Sequence, residues 1–119
     1  MKPQILMAML TLLSLLAPQS VAGQGGSMVL GAGTASCGEW TKARRQQNSA
    51  YFFSWVLGYL SATNASVQEF TSDITATTDP EGLKAWIDNY CTQRPLDPLA
   101  KATGALVIEL VSQSTHRKD

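Results

Sequence analysis

Catalysis needs concentrated polar side chains, and this sequence has few to concentrate. Its one histidine, His116, sits in the charged tail Ser114-Thr115-His116-Arg117-Lys118-Asp119, where fraying is the default. A zinc site draws four Cys, His or carboxylate ligands at local spacing, whereas the only two cysteines here are far apart. There is no Ser-His-Asp set, no Gly-x-Ser-x-Gly elbow and no pair of carboxylates that spacing forces together. No enzyme activity, metal or cofactor is therefore expected. Asp73, Asp79, Glu81, Asp88 and Asp97 suit helix caps or solvated faces. Charge of one sign is scarce too, since nine Lys/Arg balance nine Asp/Glu. The one basic cluster of residues 38–47, Lys42, Arg44 and Arg45, reads as a solvated helix face, and no nucleic-acid partner is expected.

Nor does the chain hold a long apolar run. A membrane span needs roughly 20 residues, and the run from Ile5 to Ala17 has 13. It lies between a basic start, Met1-Lys2-Pro3, and the small residues Ser20-Val21-Ala22 that a signal peptidase reads. Residues 1–22 are thus expected to be an export signal, cleaved before Gly23, with no stable membrane span left afterwards. A lipoprotein signal would need a cysteine directly after the apolar run, and the first one is Cys37.

Loss of the signal leaves 97 residues carrying eight Lys/Arg against nine Asp/Glu. A chain of this size buries little more than ~60% of its unfolded surface and is marginal without a supplement. Cys37 and Cys91 are the only pair that could provide one, and export brings them to an oxidising compartment. Their bridge would restrict the unfolded chain by roughly 4 kcal/mol on the loop-entropy estimate.

Along the chain, residues 23–36 hold five glycines and read as a flexible leader. No Gly-Lys-Ser/Thr follows them, which argues against a phosphate cradle. Residues 37–115 form a single helical domain. Gly38–Gln47 suits a short exposed helix that drops Trp40 into the core. Asn48 or Ser49 then caps a helix whose apolar residues, among them Trp55 and Tyr59, point all round the axis, the pattern of a helix that others surround. Gly58 in its middle costs up to ~1 kcal/mol in propensity and is expected to admit a close neighbour. From Ser61 to Asp79 the chain is Ser/Thr-rich, without a sustained helical period, and reads as a long connection pinned by Val67, Phe70 and Ile74. Asp79-Pro80-Glu81 opens the next helix with a cap, a first-turn proline and a first-turn acid, and Leu83, Trp86, Ile87, Tyr90 and Cys91 recur at helical spacing. Asp97-Pro98 repeats that start before an apolar stripe from Leu99 to Val111. The expected class is all-α, a small domain of three to four helices, its bridge tying the entry of the central helix to the end of the penultimate one.

Ser36-Cys37-Gly38-Glu39-Trp40, the run from Trp55 to Asn64 and the run from Trp86 to Ala102 together resemble the HdeA/HdeB-like family of small periplasmic one-disulfide helical proteins. The shared features are the export signal, an aromatic three residues after the first cysteine and a helix that ends in the second. The resemblance implies a four-helix, non-enzymatic, often dimeric protein in the periplasm of a Gram-negative bacterium. It would bind other proteins, as acid-stress chaperones do; this chain's own core signature is Trp40, Trp55, Gly58, Tyr59, Trp86 and Tyr90, of which Trp55, Gly58 and Trp86 depart from the chaperone members. The chain is similar also to periplasmic immunity proteins that inhibit secreted cell-wall hydrolases. There a projecting loop makes the contact, which points to residues 62–79 and, within them, to Asn64, Phe70, Asp73 and Ile74.

Overall fold

Ser36 and Glu39 set the start of the first helix by reciprocal hydrogen bonds, the Ser36 hydroxyl accepting from Glu39 N and the Glu39 carboxylate from Ser36 N. The computed structural model describes residues 28–66 and 73–116. A 3-10 turn, Gly31–Thr34, leads into four helices: α1 (Cys37–Arg45), α2 (Ala50–Ser66), α3 (Pro80–Gln93) and α4 (Leu99–His116). Among the described residues there is no β-strand, only an isolated antiparallel bridge between Ser36 and Pro98. The fold is all-α with one disulfide, Cys37–Cys91, spanning 54 positions of sequence. Cys37 opens α1, so the bridge staples the short first helix, and not the long second one, to the end of α3.

Burial follows the helical periods. Leu83, Ile87 and Cys91 of α3 and Leu99, Ala102, Thr103, Leu106 and Leu110 of α4 all face inward, with Trp40 from α1 wholly buried between them. Asp79 caps α3 by accepting from Gly82 N at 2.8 Å, with Pro80 in the first turn. The matching start at α4 works differently. Pro98 O accepts from Lys101 N and Ala102 N, while the Asp97 carboxylate is held by Tyr90 and Lys101. That carboxylate is not a cap.

Four expectations are corrected. The helix α2 is not enclosed: it packs chiefly on α4 and the 3-10 turn, so Phe53, Val56 and Leu60 are buried while Tyr51, Leu57 and Tyr59 stay exposed. Gly58 is accordingly not a close-contact site, because a Cβ there would meet nothing within 4 Å. The close approach falls at Gly33, where a Cβ would run into the indole of Trp55. The supposed connection also starts later, since α2 continues through Asn64 to Ser66. Ser54, Ser61 and Thr63 turn their hydroxyls onto the carbonyls of Ala50, Leu57 and Tyr59, which spends these polar groups inside the helix. The expected flexible leader is part of the fold from Gly31 onward, with Ala32 and Gly33 buried. The expected export signal, Val67 and Phe70 lie outside the described residues.

Candidate functional site

Helical spacing puts Tyr51, Trp55 and Tyr59 on one stripe of α2, facing away from Val56 and Leu60. Trp55 is the pivot of this face. Its Nε1–H donates to Leu30 O at 2.8 Å, its ring lies over Gly33, and its centroid is 5.5 Å from that of Tyr59. The indole therefore pins residues 28–30 alongside α2. Across from it Pro98 and Ala100 begin α4, and the three segments enclose a cleft of about 590 Å³. Its lining is apolar, with Met28, Leu30, Trp55 and Tyr59 on one side and Lys101 as the one charged residue. Met28 is 85% and Leu30 71% exposed. Ile108 of α4, outside the lining, is exposed as well. Water meets these side chains at a cost of about 25 cal/mol per Å² relative to burial, so a contiguous patch of them favours association.

Polar groups tie the scaffold together beneath this face. The Tyr90 hydroxyl donates to Asp97 Oδ2 at 2.8 Å, and Lys101 Nζ to Asp97 Oδ1 at 3.1 Å, which fixes the joint between α3 and α4. The Tyr90 hydroxyl and then Lys101 hold the Asp97 carboxyl below its ordinary range. Tyr90 is shifted up by desolvation and by its anionic acceptor. On the far side of the core, Trp40 Nε1 donates to Asp88 Oδ1 at 2.7 Å, and Arg44 grips the same carboxylate with Nε and Nη2 at 3.0 to 3.1 Å. Asp88 raises the Arg44 guanidinium above its usual value. Arg44 is thus a clamp between α1 and α3, not part of a purely solvated face.

Of the residues singled out as a partner loop, the described three, Asn64, Asp73 and Ile74, make contacts within the domain. Asn64 donates through Nδ2 to Asp73 Oδ1 at 2.7 Å and accepts from Ile74 N at 3.2 Å. Asp73 also takes the Thr75 N–H and hydroxyl, and these, followed by the Asn64 amide, hold its carboxyl below the ordinary carboxylate range. Ile74 is buried. Of the expected core set only Trp40 is fully buried; Trp55, Trp86 and Tyr90 are half-buried, and Gly58 and Tyr59 are exposed. The structure brings Trp55 and Tyr59 into the cleft and leaves Trp86 and Tyr90 stacked on each other at 5.8 Å elsewhere on the surface. Met28, Leu30 and Ala100 complete the cleft although sequence reasoning passed them over. The signal was there in Met28-Val29-Leu30, three apolar residues inside a glycine-rich stretch.

Among the described residues, no group of three His, Cys, Asp or Glu could hold a metal ion. No helix among them is long and apolar enough to cross a membrane. Comparison with protein-family models, with curated proteins and with solved structures finds no match for the chain.

Proposed function

We propose that this chain is a non-enzymatic protein-binding module of the HdeA-like kind, acting in the periplasm, whose cleft between Leu30, Tyr59 and Ala100 receives apolar segments of other polypeptides. One observation carries this reading: apolar side chains are left uncovered on three adjoining segments, residues 28–30, α2 and the start of α4. A helix apolar all round with one face packed has a second face for a partner. Acid is the condition expected to enlarge that surface. Asp73 and Asp97 have lowered carboxyl pKa values, so the support they give is complete above the unfolded value near 3.8 and is lost as pH falls through the lower folded values. Protonation would then free the Asn64–Asp73 clasp and the α3–α4 joint together. Inhibition of a cell-wall hydrolase through residues 62–79 has less support, because Ile74 is buried and Asn64 and Asp73 bond one another.

Light scattering by a denaturing client tests the proposal, at about pH 7 and about pH 3, with the native protein and with a Leu30→Asp, Tyr59→Asp variant. The expected result is less scattering with the native protein and a weaker effect with the variant. Scattering unchanged by the native protein at both pH values rejects it.

A further inference from the structure

A second concavity, on the other side of α2, has a different chemistry. The α1–α2 connection turns with Gln47 in the left-handed region at φ 53°, its N–H on Arg44 O and that of Asn48 on Ala43 O. Helix α2 then begins with Ser49 O accepting from Phe53 N at 2.9 Å. The amides of Ala50, Tyr51 and Phe52 precede that bond and have no acceptor within the helix. Of the three residues Ala50 lines a cleft of about 390 Å³, together with Arg44, Gln47, Ser49, Phe53, Ser54 and Lys84. Two of these residues are cationic and none is acidic. Asp88 and Glu81, the carboxylates that pair with Arg44 and Lys84, lie outside the lining. Arg44 engages Asp88 through Nε and Nη2, which leaves Nη1 uncommitted.

Ser49 is the second, independent sign of a ligand. It is nine-tenths buried and lines the cleft, yet its hydroxyl makes no hydrogen bond within the described residues. Every fully buried side-chain polar atom there has a partner, so this unpartnered oxygen keeps an accessible face, and the cleft is the concavity that Ser49 lines. The first turn of α2 contains no acidic residue to answer its dipole. We propose that Ser49, the N-terminus of α2 and Lys84, with Arg44 beside them, form a binding site for one small oxyanion group, a carboxylate or a phosphate. Amide donors, a hydroxyl and flanking cations are what such a group selects. This site is separate from the apolar cleft and does not depend on it.

The test is a titration with inorganic phosphate and, separately, with acetate, at ionic strength held constant with sodium chloride, read at the backbone amides of Ala50, Tyr51 and Phe52 by NMR. Saturable shifts with at least one of the two anions are expected. Lys84→Gln and Ser49→Ala should each weaken that binding by about threefold, with the amide spectrum of α4 unchanged to show that the fold is kept. Phosphate and acetate arms decide between tetrahedral and planar groups. Shifts that grow linearly with both anions, or equal affinity in the native protein and both variants, overturn the proposal.

Discussion

Adding a single methyl group should have opposite consequences at two glycines of this chain. At Gly58 the added Cβ points into open space from an exposed position inside a 17-residue helix. Ala is favoured over Gly there by about 0.8–1 kcal/mol, because the unfolded chain loses freedom that glycine would have kept. For a domain of this size that corresponds to a Tm increase of roughly 4–8 °C. Gly33 carries no left-handed φ, so its backbone tolerates Ala, but the Cβ would enter the Trp55 ring. Relief requires the indole to move, and with it the bond from Nε1 to Leu30 O. Overpacking of this sort costs about 1–3 kcal/mol, and the displaced hydrogen bond adds about 1 kcal/mol. Gly33→Ala should therefore unfold at lower urea and show altered near-ultraviolet dichroism and tryptophan fluorescence, whereas Gly58→Ala should unfold at higher urea with an unchanged aromatic signal. A destabilised Gly58→Ala, or a neutral Gly33→Ala with the native tryptophan spectrum, would refute the placement of α2 against the 3-10 turn.

Asp88→Ala should cost about 1–3 kcal/mol in urea unfolding, because it strands the buried Trp40 N–H and removes the acceptor that Arg44 grips. Replacing Cys37 and Cys91 together by Ser should lower stability by about 4 kcal/mol on the loop-entropy estimate, read from the shift in urea midpoint. Asp73→Asn should flatten the dependence of stability on pH below about 4, since the lowered carboxyl pKa makes that residue a site where unfolding takes up a proton. Thermal scans across that range, native against variant, check it; parallel curves would remove Asp73 from the acid response.

Local chemistry made much of this fold legible. Asp79-Pro80-Glu81 places three helix-start preferences in consecutive positions, and the apolar residues of α3 and α4 recur at one period, so their inner faces follow from spacing alone. The cysteine pairing needed only a count. What could not be read is which side of α2 is covered. Tyr51, Phe53, Trp55, Val56, Leu57 and Tyr59 offer apolar surface in every direction, and the choice among them belongs to the elements that arrive from elsewhere in the chain. The misplacement of the tight contact at Gly58 came from the same gap, because Gly33 acquires its role only when Trp55, 22 positions on, lies across it. Asn64 and Asp73 carry polar side chains that read as presented to a partner, yet they hydrogen-bond one another at 2.7 Å. The Trp40–Asp88–Arg44 clamp joins residues 44 and 48 positions apart, a distance over which sequence spacing has no bearing on contact.

The covalent bridge does not stand alone at its end of the molecule. Beside it Cys37 N donates to Asp97 O, Gly38 N to Pro95 O and Leu99 N to Ala35 O, all at 2.8 to 2.9 Å. At the other end of α3, the described part of the return from α2 is held by the Asn64 and Asp73 side chains and by Ile74. Opening under load or heat should therefore be polarised, with amide protons around Asn64 exchanging well before those at Cys37, Gly38 and Leu99. The junction of α1 with the α3–α4 turn would act as a root that survives partial melting, from which the released half of the chain could rewind.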